Sequence, residues 1–316
     1  MLLMWRSESR HRQMHRTTYL VLQLLISTML LVSSSYYNTS AFNDSLYSHV
    51  AVEKKLVNKH LFMIGDSIMR YHYLTLVNSL KFEKTLVDNG GRGSFIQQEG
   101  GYNNWTLFFE TTNKLLQPYE HCDCYRDNHF NPSRQFENRY YYDEKKKIRI
   151  TFLTFLGRFV HGHWNKTSDN DLLRTTQGNY SEALWSYSLP AFIKHLVPSL
   201  LHKGEKSILV LNAGHHQNNF HEESYRDKVR DRALKTFDQF IWKTTTYPFA
   251  ERREMQLDGQ QFKPPDFNMC ALEGITCMNM SWTKHVHNHN YTDFLHFKAS
   301  TYNIMTMQML DQFNVK

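Results

Sequence analysis

An apolar run that meets a Gly-Asp-Ser turn, within residues 61–70, constrains the fold of this chain more than any other feature. Leu61-Phe-Met-Ile64 is typical of a buried strand, and residues 68–80 can continue as a helix. Because open α/β sheets place their ligands at the carboxyl edge, the pattern predicts that Ser67 is exposed there, beside unpaired N–H groups of a helix N-terminus. In the simpler interpretation, Asp66 or Ser67 only caps the helix.

Composition limits the class of protein. A chain of 316 residues with 41% hydrophobic and 14% aromatic residues can bury a sizeable core and is not disordered. The net charge is +7, but the basic residues are scattered apart from the N-terminal tail and Lys145-Lys146-Lys147. Because nucleic-acid binding needs a basic patch or stripe, we expect no nucleic-acid partner.

The N-terminus predicts a membrane-targeting segment. Arginines at positions 6, 10, 12 and 16 precede an apolar stretch over residues 19–32, and no Lys or Arg follows until Lys54. This asymmetry places the tail in the cytosol and the rest in the lumen. The stretch is short for a span of about 20 residues, so a cleavable signal peptide ending near residues 33–35 is an alternative. We favour an anchor, because the charged tail is long and short spans suit thin early-secretory membranes.

The expected organisation is that of a single-pass type II protein of the Golgi or endoplasmic reticulum membrane, with secretion as the alternative. Residues 36–58 are polar and are expected to form a stem, and no repeat or low-complexity linker divides the chain beyond residue 58. The predicted divisions are a cytosolic tail (1–17), a signal anchor or signal peptide (18–35), a stem (36–58) and one globular domain (59–316).

Glycosylation triplets support the luminal assignment. Asn-x-Ser/Thr triplets without proline occur at a density that suits a chain meeting the glycosylation machinery. The predicted acceptors are Asn38, Asn43, Asn104, Asn165, Asn179, Asn279 and Asn290.

The chain has four cysteines, an even number that suits an oxidising compartment. Cys122 and Cys124 are too close in sequence to pair comfortably with each other. We therefore predict two disulfides that join the loop around residue 120 to Cys270 and Cys277, in undetermined order. A zinc site is the alternative, although the spacing is not that of a zinc finger.

Strand-like and helix-like segments alternate along the globular part, which predicts an α/β fold with a mostly parallel sheet covered on both faces. Long loops often carry function, and here they hold most Trp, Tyr and His residues. Strands are predicted at residues 61–64, 84–87, 105–109, 148–155 and 207–211, helices at 68–80, 181–202, 221–242 and 297–313, and long loops at 89–103, 110–147, 156–180 and 247–292.

A second chemical motif lies near the C-terminus, where Asp293 precedes His296 by three residues on a loop that enters a helix. At this spacing the carboxylate can reach back to the imidazole, fix its tautomer and stabilise the imidazolium. His296 is then a candidate general base for Ser67. Taken alone, Asp-x-x-His is common and usually means only surface polarity.

A third motif, Asn212-Ala-Gly-His215, comes after the predicted strand at residues 207–211. In a parallel sheet this strand end lies at the same edge as Ser67, so the Asn212 amide is a candidate donor to an oxyanion. His215 is a candidate for substrate contact or for bracing the loop. The simpler interpretation is that the segment is only a turn.

In this order the three motifs resemble the SGNH (GDSL-like) hydrolase superfamily. They resemble more closely its PC-esterase branch, which contains trichome-birefringence-like and Cas1-type glycan O-acetyltransferases. Two departures are that His216-Gln217 stands where the plant proteins have Trp-Trp, and Phe297-Lys298-Ala299 where they have Cys and Pro-Gly. The matching residues are Met63-Ile-Gly-Asp-Ser-Ile-Met-Arg70, Leu209-Val-Leu-Asn-Ala-Gly-His215, Trp242-Lys-Thr-Thr-Thr246 and Asp293-Phe-Leu-His-Phe297.

The resemblance implies a three-layer SGNH-like sandwich in which Ser67, His296 and Asp293 form a catalytic triad. Ser67 would take an acetyl group and pass it to a glycan hydroxyl, with no cofactor and with an acetyl carrier as the donor substrate. The oxyanion would be held by N–H groups at Ser67 and by Asn212, with Gly91 or Gly157 as a candidate for a further N–H. Candidate substrate-binding residues are Arg70, His215 and the tryptophans Trp105, Trp164, Trp185 and Trp282, of which we favour Trp164.

Three alternatives stay open at this point. A carbohydrate acetyl esterase would use the same triad, and a glycan-binding module would carry it in inactive form. A metal enzyme is the third alternative, because alternating histidines can hold zinc or copper, although we expect no metal. The histidines concerned are His161, His163, His215, His216, His285, His287 and His289.

Overall fold

The structure is a computed structural model that describes residues 49–83, 105–123, 137–155, 172–174, 184–186, 189–215, 219–249 and 264–314. The predicted tail, anchor and strand at residues 84–87 lie outside these ranges. Among the residues described, no helix is long and apolar enough to cross a membrane.

Helices and strands alternate through the described part of the chain. The helices are α1 (His49–Leu56), α2 (Ser67–Phe82), α3 (Trp105–Leu116), α4 (189–200, with a π-helical segment Phe192–Leu196), α5 (Glu223–Thr236) and α6 (Ala299–Asp311). The strands are β1 (Lys59–Gly65), β2 (Glu120–Asp123), β3 (Asn138–Asp143), β4 (Ile148–Thr154), β5 (Leu172–Arg174), β6 (Leu184–Ser186), β7 (Lys206–Leu211), β8 (Gln239–Lys243) and β9 (Ile275–Met278).

The main sheet has seven strands in the order β2-β3-β4-β1-β7-β8-β9. Five neighbouring strands of this sheet are parallel, namely β4, β1, β7, β8 and β9. The β2–β3 hairpin adds antiparallel pairs beside β4. From β1 the chain passes to β4 on one side and later to β7 on the other. The carboxyl ends of β1 and β7 therefore flank the crevice at which doubly wound sheets bind ligands.

Side chains of the central strands alternate between two apolar layers. Leu61 and Met63 of β1 pack with residues of α1, α2, α3 and α6, whereas Phe62 and Ile64 pack with residues of α4 and α5. The sheet is thus covered by helices on both faces, which confirms the predicted α/β class and the mostly parallel sheet. Helix α1, within the range assigned to the stem, contributes Val52 and Leu56 to the first layer.

Some predicted elements were wrong. Residues 105–109 begin helix α3, whose Phe108, Thr112 and Leu116 are buried at a spacing of one helical turn. The predicted loop over 110–147 contains the end of α3 and the β2–β3 hairpin, and β9 lies in the predicted loop over 247–292. The predicted helix 181–202 contains strand β6 before α4, and the helix over 221–242 ends at Thr236.

The predicted pairing of cysteines was also wrong. Cys270 and Cys277 form a disulfide with each other, and their Cα atoms lie 5.1 Å apart. Cys122 belongs to β2 and Cys277 to β9, which are the two outer strands of the sheet. Six strand spacings of about 4.8 Å separate these edges, far beyond the reach of a disulfide. The Cys122 side chain and Cys124 lie outside the described part of the structure.

Candidate active site

The turn between β1 and α2 presents Ser67 as the first residue of the helix. Asp66 is the N-cap, and its Oδ1 accepts a hydrogen bond of 3.0 Å from the Ile68 N–H. This cap satisfies one of the helix's first donors and leaves Ser67 at the positive end of the dipole. Both interpretations of the Gly-Asp-Ser pattern therefore apply, since Asp66 caps the helix and Ser67 projects at the sheet edge.

Three distant side chains meet at this turn. The Nε2 atom of His296 lies 2.7 Å from the Ser67 Oγ, and its Nδ1 lies 2.7 Å from an oxygen of Asp293. Because the ionised carboxylate only accepts, the Nδ1–H donates to it, and Nε2 is free to accept the Ser67 proton. The arrangement has the geometry of a nucleophile with a general base and an orienting acid.

The carboxylate of Asp293 is fixed by its own loop. Its Oδ1 accepts 2.8 Å hydrogen bonds from the N–H groups of Leu295 and His296. Partial burial would raise the pKa of Asp293, but the hydrogen bonds from His296 and these N–H groups outweigh it and lower the pKa to about 2. Asp293 is therefore ionised near neutral pH and can accept the Nδ1–H of His296. The site faces solvent, and 46% of the Asp293 side chain is exposed.

A second carboxylate ties the nucleophile turn to the loop after β7. The Oδ2 atom of the buried Asp66 accepts a hydrogen bond of 3.2 Å from the His215 N–H. Gly214 allows this approach, because its φ is +66° and a Cβ there would lie 2.2 Å from that oxygen. Asp66 thus joins two loops through two backbone N–H groups.

Asn212 lies at the same edge of the sheet. Its backbone N–H donates to Ile64 O at 2.9 Å, and its side-chain amide donates to the Lys243 carbonyl at 2.8 Å. An amide nitrogen carries two hydrogens, so this bond orients the group and leaves a second N–H for another acceptor. The buried position of Asn212 is compatible with the predicted oxyanion role.

Of the predicted substrate-binding residues, His215 lies at the site and Arg70 does not reach solvent. The Nε2 atom of His215 lies 3.4 Å from the Oγ1 atom of Thr246, which belongs to the segment that follows β8. Arg70 is 1% exposed, and its guanidinium forms an ion pair with the buried Glu137. The prediction that Arg70 binds substrate is corrected, since its charge is paired within the protein.

The other predicted residues are distributed as follows. Gly91, Gly157 and Trp164 lie outside the described residues, as do His161, His163, His216 and the acceptors Asn38, Asn43, Asn104, Asn165 and Asn179. Asn279 is exposed, Asn290 is half-buried, and Trp282 donates its indole N–H to Gln308. The side chains of Trp105 and Trp185 are not among those described.

The alternating histidines are exposed on the loop before the triad. His287 and His289 stack with ring centroids 5.6 Å apart. Within the described ranges, no group of three or more His, Cys, Asp or Glu side chains is placed to hold a metal ion.

Sequence reasoning missed three contributors to the site. Tyr71 packs edge-on against His296, with ring centroids 4.9 Å apart, and is one helical turn beyond Ser67. The local pattern indicates Asp66 only as a cap, although this residue also holds the His215 loop. Lys243 was considered only as part of the motif at residues 242–246. A lysine at the end of an apolar strand is a signal that could have indicated it.

Comparison with known proteins adds no relative. No family model matches the chain, and neither the curated proteins nor the solved structures contain a significant match.

Proposed function

We propose that this chain is a glycan O-acetyltransferase of the SGNH type, close to the PC-esterase branch, that works through an acyl-enzyme on Ser67. The observation that carries the proposal is the continuous contact from the Ser67 hydroxyl to His296 and from His296 to Asp293. Residues 229 positions apart have no local reason to meet at 2.7 Å with a free imidazole nitrogen directed at a serine hydroxyl.

In the first half-reaction, Ser67 Oγ attacks the acetyl carbonyl of the donor and His296 Nε2 takes the serine proton. The tetrahedral intermediate collapses, and His296 returns the proton to the leaving group of the donor. In the second half, His296 takes the proton of an acceptor hydroxyl as its oxygen attacks the acyl-serine. The second tetrahedral intermediate collapses with cleavage of the bond to Ser67 Oγ, and His296 gives its proton to that oxygen. Asp293 stabilises the imidazolium in both halves and stays ionised.

The oxyanion of each intermediate needs donors placed before the reaction. The Ser67 N–H at the helix N-terminus and the second N–H of Asn212 are the donors we propose, with Gly91 as a further candidate. Removing one such donor from a comparable site costs about 10²–10³ in rate. The hydrogen bond from Asn212 to the Lys243 carbonyl supports this role, because it fixes the amide before substrate binds.

A carbohydrate acetyl esterase is the second candidate, and the openness of the site favours it. With 20% of the His296 and 46% of the Asp293 side chain exposed, water reaches the triad. Transfer then requires an acceptor sugar that is bound and aligned, since well-oriented groups reach effective molarities of about 10⁵–10⁸ M.

We further propose that the domain is luminal in the Golgi or endoplasmic reticulum and is tethered by residues 18–35. The basic tail before the apolar stretch and the density of glycosylation triplets support this assignment.

The test uses the purified glycosylated protein, an activated acetyl ester and a panel of neutral and acidic oligosaccharides. Mass spectrometry of the sugars detects transfer, and acetate release detects hydrolysis. We expect an acetylated oligosaccharide with wild-type protein and none with Ser67→Ala. Acetate release that no acceptor reduces would identify the esterase instead, and neither product at any pH would contradict both candidates.

A further inference from the structure

The ring of Tyr71 packs against the general base of the proposed site. Tyr71 lies four residues beyond Ser67 on α2, so one turn of the helix brings both side chains to the same face. The rings of Tyr71 and His296 have centroids 4.9 Å apart and planes 76° apart, a T-shaped geometry that aromatic pairs favour. One turn of α2 therefore supplies both the nucleophile and a contact to the imidazole.

Tyr71 is held in turn by the apolar layer beneath the site. It is half-buried and packs against the core cluster on that face of the sheet. Its ring centroid lies 6.1 Å from that of Phe108 on α3 and 6.3 Å from that of Tyr302 on α6. Phe108 and Tyr302 are both buried. Because a packed core allows little movement, Tyr71 meets His296 as a fixed surface.

Tyr302 also contacts the chain next to His296. Its hydroxyl accepts the Phe297 N–H at 3.4 Å, and the two rings form a T-shaped pair with centroids 5.9 Å apart. The carbonyl of His296 accepts the Thr292 N–H at 2.8 Å, which closes the loop that carries Asp293. The backbone of His296 is thus held on both sides, and the position of its imidazole depends on what touches the ring.

Two hydrogen bonds leave one motion of the imidazole open. Its Nδ1 and Nε2 atoms each lie 2.7 Å from a partner, Asp293 and Ser67 respectively. The two bonds define a line across the ring, and a tilt of the ring about that line changes their lengths little. The contact with Tyr71 opposes this tilt, because the two rings would collide in one direction and lose their contact in the other.

The acyl-enzyme lacks one of these two bonds. After acylation, Ser67 Oγ carries the acetyl group in place of its proton and no longer donates to His296 Nε2. The imidazole is then held by Tyr71 and by Asp293, whose side chain is 46% exposed. In this state His296 must direct Nε2 at the incoming acceptor hydroxyl, so the second half-reaction depends more on Tyr71 than the first.

We propose that Tyr71 is a positioning residue of the acyl-transfer site, whose ring keeps the His296 imidazole directed at Ser67 before and after acylation. The role belongs to the aromatic ring and not to the phenol hydroxyl. The kinetic part of this inference rests on the proposed function, whereas the restraint of the imidazole by the ring does not.

The kinetic test compares full-length wild type with Tyr71→Leu and Tyr71→Phe in single turnovers with an activated acetyl ester. Mass spectrometry of quenched samples follows the rise and decay of acetylated Ser67, which give the acylation and deacylation rates. We expect Tyr71→Leu to slow deacylation by about 10–100-fold and acylation less, since a misplaced catalytic group is costly. Tyr71→Phe keeps the ring and should stay within about threefold of wild type in both steps.

Tyr225→Leu is the matched control. This tyrosine of α5 also forms a T-shaped aromatic pair, with Phe220 at 5.2 Å between centroids, but it belongs to the apolar layer on the other face of the sheet. Both rates per folded molecule should match those of wild type. A control that slows deacylation as much as Tyr71→Leu would overturn the positioning role, because any loss of aromatic packing would then suffice.

Two further outcomes would also overturn the role. One is deacylation of Tyr71→Leu at the wild-type rate. The other is a Tyr71→Phe variant as slow as Tyr71→Leu, which would assign the effect to the hydroxyl. If Tyr71→Leu does not fold, Tyr71→Met, which fills the space with a flexible chain, is held to the same expectation.

Nuclear magnetic resonance measures the restraint without activity. In protein labelled with ¹³C at histidine Cε1, the His296 signal is identified by its loss in His296→Ala, and its relaxation gives an order parameter for the ring. We expect a lower order parameter in Tyr71→Leu than in wild type, Tyr71→Phe or Tyr225→Leu. An unchanged value in Tyr71→Leu would overturn the restraint. Wild type that never becomes acetylated would contradict the proposed function, and the order parameter would still decide the restraint.

Discussion

Helix α2 contributes one residue to each of two polar groups that differ in their access to water. At its N-terminus, Ser67 contacts His296, which in turn contacts the exposed Asp293. One turn further, Arg70 pairs with Glu137, whose side chain is 1% exposed and also bonds Arg139 at 2.5 Å. We refer to the second group, with Glu120 paired to Arg139, as the interior cluster.

The two groups differ in solvent exposure, and this difference distinguishes side chains that a substrate can reach from side chains that hold the fold together. Burial alone would raise the pKa of Glu137, but Arg70 and Arg139 hold it below its usual value, so this carboxylate stays ionised within the protein. The interior cluster joins α2 to β2 and β3, and none of its four side chains is more than 2% exposed. By contrast, 20% of the His296 side chain and 46% of the Asp293 side chain are exposed to solvent. Variants should therefore separate the two, with activity lost at one and stability at the other.

The largest expected effect is on activity. Ser67→Ala should abolish the acyl-enzyme and reduce kcat for acetyl release or transfer by about 10⁴–10⁶, as the loss of a nucleophile does in serine enzymes. Its Tm should change little, because the hydroxyl is part-exposed and bonds only across the site. Steady-state kinetics and calorimetry on the same preparation measure both, and a comparable loss in both quantities would contradict the division.

Asp293→Asn comes next, with an expected loss of about 10³–10⁴ in kcat. The amide cannot accept the Nδ1–H of His296 equally well, so the wrong tautomer would face Ser67. Steady-state kinetics measure this loss. Wild-type activity in this variant would mean that His296 is oriented by other contacts.

Glu137→Gln tests the interior cluster. It leaves Arg70 and Arg139 short of their negative partner, and breaking one side of a buried ion pair costs about 3–5 kcal/mol. Urea unfolding should show this loss, while kcat per folded molecule stays within a few-fold of wild type. A variant of unchanged stability would show that solvent already compensates these charges.

Gly214→Ala should affect both properties, because the added Cβ would collide with Asp66 and the residue would keep a left-handed φ. Strain and overpacking together should cost about 2–4 kcal/mol and reduce kcat. Gly204→Ala is the matched control: its φ is +90°, but no atom lies within 4 Å of the new Cβ. Equal losses for the two variants, measured by urea unfolding, would exclude the contact with Asp66 as the cause.

The smallest effect concerns pH and stability at Asp293. Its pKa falls from 3.8 to about 2 on folding, so the folded state binds the proton more weakly. The resulting stabilisation is present above about pH 4 and is lost as the pH falls through about 2; for a pair this exposed it is below about 1 kcal/mol. The stability difference between wild type and Asp293→Asn should shrink between pH 5 and pH 2, and a difference that grows in acid would contradict the sign.

Sequence patterns were sufficient to predict a strand or helix where the periodicity of its apolar residues agrees with the burial seen in the structure. The apolar run of β1 followed by a capping Asp66 predicted the strand, the turn and helix α2. They failed at α3, because Trp-Thr-Leu-Phe-Phe has the composition of a strand and only the spacing of Phe108, Thr112 and Leu116 marks a helix. At Thr236 no Gly or Pro marks the end of α5, since Phe237 simply becomes extended and leads into β8.

The same distinction between local and long-range information applies to the candidate site. The sequence indicated Ser67 and Asn212 because each follows a strand, and Asp293 and His296 because they lie three residues apart shortly before the last helix. The cysteine pairing and the role of Arg70 depend on which strands are neighbours and which side chains meet inside the protein. Neither is visible in local sequence.

The proposed chemistry requires that Ser67 becomes acylated, and peptide mapping after brief incubation with an activated acetyl donor measures this. Acid quenching at short times should trap an acetyl group on the peptide that contains Ser67, and His296→Ala should greatly reduce it. An adduct found only on lysines or the N-terminus, or one that forms on Ser67 equally well without His296, would contradict the account.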